Sequence, residues 1–146
     1  MRTTKFLILL AVLQVAIATN TVQPTEPNSV QFELCPGFSG KSIQLHSLLI
    51  HPYPLVRGIF SHFEYKGTSN SEFNLRGVRF DYRIKNRVIH STKTEKRLNF
   101  RKHSHFDFWH AYAIPMLLPP ETYQIQVYFE DTNGKDLECL QLTRRL

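Results

Sequence analysis

Cysteine is scarce in this 146-residue chain: only Cys35 and Cys139 occur. That excludes a small scaffold held by several disulfides, and it excludes a multi-cysteine zinc site. No Asn-x-Ser/Thr triplet is present, so N-linked glycosylation is not expected. Beyond the first 18 residues, no apolar run approaches the ~20 residues that a membrane-spanning helix needs. No segment sustains an apolar period of 3.6 residues with capping residues at its ends, so little helix is expected. Strongly acidic or basic character is absent as well, since 18 Lys and Arg face 12 Asp and Glu.

The first residues run Met1-Arg2-Thr3-Thr4-Lys5, then a short apolar stretch from Phe6 to Leu13, then small residues at Ala16 and Ala18. A basic start, an apolar core and small residues describe a secretory leader, cleaved after Ala18. The rival reading, an anchor, is disfavoured because the run is short and broken by Gln14. Cleavage would remove Arg2 and Lys5 and lower the formal charge from +6 to +4. Residues 19–28 are polar, with Pro24 and Pro27, and read as a flexible lead-in. Residues 29–146 would then form one domain.

Period two dominates the remainder. Tyr123, Ile125, Val127 and Phe129 alternate with mostly polar neighbours, and Asp131-Thr132-Asn133-Gly134 supplies a hairpin turn. Val78, Phe80, Tyr82 and Ile84 alternate with Arg79, Asp81, Arg83 and Lys85. Further strands are expected at Val30–Cys35, Ile43–Ile50, Val56–Lys66 and Lys96–Phe100, with Val88–His90 continuing or returning from the Leu75–Lys85 strand. Residues 101–117 give no clear pattern. About seven short strands separated by turn signals imply an all-β sandwich. A secreted chain with two cysteines has one possible pairing, Cys35 with Cys139; the alternative is two buried thiols.

Chemical signals are sparse. Gly40-Lys41-Ser42 lacks the first glycine and the helix of a phosphate loop, and Gly37-Phe38-Ser39-Gly40 lacks nucleophile-elbow spacing. His103, His105 and His110 have no neighbouring cysteine or carboxylate set at zinc spacing. They read as loop histidines or weak pH sensors. No catalytic residue, metal or cofactor is assigned. From Arg76 to Lys102 ten Lys or Arg accompany two acids. Most fit a solvated outer strand face; interleaved with aromatics from Lys96 to Trp109, they also fit a loop that meets anionic membrane. Nucleic acid would suit the same charges, but a secretory leader argues against it. The inward aromatics fit either a dry core or, if the sheets splay, an apolar pocket.

The order of features carries a resemblance. Phe32-x-x-Cys35 enters a strand, and Pro52-Tyr53-Pro54 follows the second strand. Near the end come Leu118-Pro119-Pro120-Glu121-Thr122-Tyr123, an alternating strand, Asn133-Gly134 and Leu137-x-Cys139. Over residues 29–144 the chain resembles the ML lipid-recognition domain family. The resemblance implies an immunoglobulin-like sandwich of two antiparallel sheets with an apolar cavity between them, and it matches Cys35 and Cys139 to the family's first-to-last disulfide. Tyr53 stands where many members carry a cysteine, and the family's Cys-Pro-Leu-x-x-Gly element has no counterpart. With the resemblance, the pocket reading prevails.

Phe60, Val78, Phe80, Tyr82, Ile84, Tyr123, Ile125, Val127 and Phe129 are then expected to line the pocket. Lys96, Arg97, Arg101, Lys102, Phe106, Phe108, Trp109, Tyr112 and Ile114 are expected at its mouth or against a membrane. The expected function is sterol or phospholipid carriage by a monomer, secreted or in the endolysosomal lumen, with a membrane receptor or transporter as a further partner. Lipid presentation to a receptor is the alternative, and a secreted hydrolase the remote one.

Overall fold

The computed structural model describes residues 28–146; the expected leader and all but the last residue of the lead-in lie outside them. Eight strands form two antiparallel sheets with no helix among the described residues. The larger sheet has the order β1(Glu33–Leu34), β8(Asp136–Arg145), β7(Thr122–Asp131), β4(Phe73–Ile84), β5(Arg87–Phe100). The smaller has β2(Ile43–His51), β3(Phe60–Ser69), β6(His105–Ala113).

The β7–β8 hairpin closes as its sequence requires. Asp131 accepts hydrogen bonds from the backbone amides of Asn133 and Lys135, both at 2.8 Å, and Gly134 takes a φ of 80°. Tyr123, Ile125, Val127 and Phe129 are all buried on the inner face. β4 lies beside this strand, with Val78 opposite Phe129, Phe80 opposite Val127 and Tyr82 opposite Ile125. Outside, Arg79 pairs with Glu130 at 2.6 Å and Asp136 at 3.1 Å, and Lys93 also reaches Glu130. Part of the positive stretch is therefore neutralised within the outer face of the sheet.

The first expected strand does not form as one piece. Ser29 bridges to Leu49 and Val30 donates to the Leu48 carbonyl, both on the smaller sheet, whereas Glu33 and Leu34 pair with β8 of the larger one. The reason is parity. Val30 and Cys35 are both buried, yet five residues apart they would face opposite ways in a regular strand. The segment instead crosses from one sheet to the other and closes that side of the sandwich. Cys35 there bonds Cys139 covalently, with 5.3 Å between Cα atoms and a sequence separation of 104. Phe38 of the following loop meets Tyr128 edge-on.

Lys96–Phe100 is the end of a 14-residue edge strand, β5. Its half-buried row is Thr92, Thr94, Lys96 and Leu98, too polar to read as a core face. Residues 101–117 contain β6, with Phe106, Phe108, His110 and Tyr112 buried and His105, Asp107 and Trp109 exposed between them. An inward histidine and an outward tryptophan reverse the usual preferences and hid its period.

Candidate functional site

The inner faces meet through rings. Phe63 of β3 lies 5.2 Å from Phe80 of β4 between centroids, and Tyr65 of β3 lies 5.2 Å from Phe129 of β7. Tyr112 of β6 stacks on Phe80 at 4.5 Å and 4°. Phe108 of β6 contacts Phe129 edge-on. These pairs join strands of different sheets, so the interior is in direct aromatic contact at these points.

Seven of the nine residues expected to line a pocket lie on this inner surface: Val78, Phe80, Tyr82, Tyr123, Ile125, Val127 and Phe129. Ile84 is half-buried at the strand end. Phe60 departs from the expectation: it is 66% exposed. Parity again explains it, because Phe63 and Tyr65 point inward and Phe60 is an odd number of residues away from Phe63.

The residues expected at the mouth separate into three groups. Phe106, Phe108, Tyr112 and Ile114 are buried and form the wall facing β4 and β7. They are not an exposed patch. Trp109 lies outside, 54% exposed, against the His62 ring. Arg97, Arg101 and Lys102 are exposed in the strand and loop between β5 and β6, while Lys96 is half-buried with its ammonium 5.3 Å from the Trp109 ring centre. Lys96 thus reaches across the seam between β5 and β6. No hydrogen-bonded ladder joins those two strands among the described residues. The opposite side is crossed by residues 28–34.

Polar groups within this interior are the signal that sequence reading missed. His110 is stacked near Phe63 and Tyr65, at interplanar angles of 11° and 8°. Neither of its ring nitrogens has a hydrogen-bond partner. The hydroxyls of Ser61 and Tyr65 are likewise buried and unpartnered, whereas that of Tyr82 meets the Tyr112 hydroxyl. Each such group costs about 1–3 kcal/mol in an apolar interior. Burial, helped by the nearby charge of Lys96, lowers the His110 pKa from its ordinary value to about 4. Burial raises the Tyr65 and Tyr82 pKa values, so both phenols stay neutral. Together these side chains can donate to or accept from a polar atom brought in by an otherwise apolar ligand.

The histidines do not assemble a metal centre. His110 is inside, whereas His105 is exposed with its Nδ1 3.3 Å from the Thr68 hydroxyl, and His103 occupies the loop before β6 at a φ of 59°. Among the described residues, no group of three His, Cys, Asp or Glu side chains is placed to hold a metal ion. A cleft of about 610 Å³ runs past Ser29–Glu33, His46, Ser47 and Gln141–Arg144 on the crossed side. It contains none of the residues expected at the site.

No protein-family profile matches the sequence, and no curated protein matches it. Solved structures do match. A Niemann-Pick type C2 protein from the Japanese carpenter ant superposes with a TM-score of 0.64 over 80% of this chain and 98% of its own, at 10% identity. Chicken MD-1, solved in complex with lipid IVa, superposes with a TM-score of 0.55 over 78% of this chain and 86% of its own, at 12% identity. The fold of this chain is therefore the two-sheet β-sandwich of those two proteins, reached at 10% and 12% sequence identity.

Proposed function

We propose that this protein is a lipid carrier. It takes one amphipathic lipid, a sterol or a phospholipid, between its two sheets and makes or breaks no bond. The observation that carries the reading is the interior itself. Two walls rich in aromatic side chains enclose unpartnered polar atoms of Ser61, Tyr65 and His110. One long side of the sandwich has no ladder or crossing segment among the described residues. A lipid hydroxyl or ester would satisfy polar groups that are otherwise stranded, while its apolar body replaces ring-to-ring contact with ring-to-lipid contact. Desolvation of that body supplies roughly 25 cal/mol per Å² before the cost of parting the sheets.

Val78, Phe80, Tyr82, Tyr123, Ile125, Val127 and Phe129 form one wall of the proposed site; Phe63, Tyr65, Phe108, His110 and Tyr112 form the other. A secreted or endolysosomal setting agrees with the disulfide and with a histidine that takes up a proton only in acid. The fold shared with the ant Niemann-Pick type C2 protein supports carriage, and the fold shared with chicken MD-1 supports a second reading, in which bound lipid is presented to a receptor.

Native mass spectrometry of the protein from its own source tests the reading. One molecule of lipid per chain is expected, exchanged on incubation with labelled sterol or phospholipid. Protein that carries no lipid and takes up neither label would refute it. Trp109 is the wrong reporter for that experiment, because it lies outside the interior.

A further inference from the structure

The strand directions gather three connections at one end of the sandwich. Phe60 at the start of β3 pairs with Ala113 at the end of β6, and Arg83 near the end of β4 pairs with Gln124 near the start of β7. The loop after β2, the loop after β6 and the turn between β4 and β5 therefore share that end. The first two are clasped together: Gly58 donates to the Ile114 carbonyl at 2.7 Å, Ile114 donates back to Ile59, and the Arg57 guanidinium donates to the Leu118 carbonyl at 2.6 Å.

This end exposes large apolar side chains. Val56, Ile59 and Phe60 stand out from the first loop and the β3 start. Met116 and Leu117 stand out from the second, at 72% and 96% exposure. Val88 and Ile89 follow the β4–β5 turn and are also exposed. The loop after β2 and the β4–β5 turn hold no acid but do hold Arg57, Lys85 and Arg87, and the loop after β6 holds one acid, Glu121, at its far end. Arg144, at the end of β8, sits over the Tyr53 ring at 5.5 Å. The loops of the other end, 36–42, 70–72, 101–104 and 132–135, contain one large apolar residue, Phe38, which is half-buried.

We infer that the end formed by residues 52–60, 84–90 and 114–120 is a bilayer-docking surface, taking the interface of an anionic phospholipid membrane. Protruding aliphatic tips at loop ends suit penetration between headgroups, and the cations beside them suit anionic phosphate. A flat protein partner would leave side chains as prominent as Leu117 needing a matching hole. The inference rests on the lipid-carrier reading and deepens it: the interior would load and unload where the chain meets the membrane. It differs from the docking expected around Trp109, on the outer face of the smaller sheet.

Co-sedimentation with vesicles of phosphatidylcholine, alone or with phosphatidylserine, tests it without reference to cargo. The full secreted chain is expected to bind the mixed vesicles more strongly. The pair Phe60→Ser and Leu117→Ser should weaken binding by about tenfold or more, each removing a side chain that would leave water. Lys85→Glu with Arg87→Glu should abolish the preference for phosphatidylserine, whereas Arg101→Glu with Lys102→Glu should leave it intact. In a Trp109→Phe background, Leu117→Trp should shift its emission to the blue on vesicles, and the native Trp109 should not. Unshifted emission from Leu117→Trp would overturn the inference. So would a dimer that Leu117→Ser dissolves in protein that ignores vesicles. Protection of Leu117→Cys from labelling in the secreted chain, but not in a chain begun at Asn28, would also overturn it, by showing that residues 19–27 cover the patch. Native mass spectrometry of the same samples reports cargo separately, so docking can fail while carriage stands.

Discussion

The two ends of the sandwich are built differently. At the end holding the loops 36–42, 101–104 and 132–135, the first segment is stapled to the larger sheet and rings join the two sheets. The Cys35–Cys139 bond ties the crossing segment to β8, and Phe100 contacts both Phe106 and Phe108 across the β5–β6 turn. Gly67 lets Phe106 lie against β3, since a Cβ there would come 2.6 Å from its ring. The Arg79–Glu130–Asp136 cluster braces the outside. The opposite end has clasped loops and exposed aliphatics, and no disulfide among the described residues. A sandwich stapled at one end and greasy at the other parts most readily at the greasy end. Under the proposed function, the lipid would enter at that end while the other end keeps the fold together.

The sharpest way to break the comparison is to cut the staple. Cys35→Ser with Cys139→Ser should lower stability by about 4 kcal/mol, given a loop of some hundred residues, as read from denaturant unfolding. Hydrogen exchange should then rise at residues 33–43 before it rises at β7. Gly67→Val should cost about 3 kcal/mol, again by unfolding, because its Cβ would meet the Gln44 carbonyl as well as the Phe106 ring. Because it spoils the stapled end, this variant should gain exchange at residues 100–108 and leave vesicle binding intact.

Acid sharpens the comparison from within. The folded His110 pKa lies near 4, below the ordinary value of ~6.5, so the unfolded chain takes up the proton first as pH falls. The stability from the neutral, buried imidazole is whole above about pH 6.5 and is lost progressively toward pH 4. Between pH 7 and pH 5 that loss amounts to about 2 kcal/mol. His110→Phe should flatten the decline in melting temperature over that range. In the native chain, exchange at pH 5 should rise sooner at residues 112–118 than at residues 67–73. The smallest effect on stability belongs to the greasy end itself. Leu117→Ser should change unfolding free energy by no more than about 0.5 kcal/mol, because the side chain is in water already.

Legibility followed the alternation of side-chain polarity. β4, β7 and β8 could be read because apolar and polar residues alternate along them, even where the polar ones, Asp81, Gln126, Glu130 and Glu138, are themselves buried. β6 could not, because His110 points in and Trp109 points out. β5 could not, because an edge strand with Thr92, Thr94 and Lys96 on its inner row has no apolar row to display. The proposed site is half legible: alternation shows the inner rows of β4 and β7, whereas nothing local tells that β3 turns Phe63 and Tyr65 inward and Phe60 outward.

By itself the sequence determined an all-β chain, its strongest hairpin and the inward row from Tyr123 to Phe129, because strand parity and turn chemistry act over a few residues. It also left only one partner for Cys35. Tertiary structure alone decided three things: that the first segment switches sheets, that Ser61, Tyr65, Tyr82 and His110 share one buried interior, and that residues 56, 60, 88 and 117 gather at one end. Those depend on which strands lie beside and across from one another. Such contacts join residues far apart in the chain, and no local pattern records them.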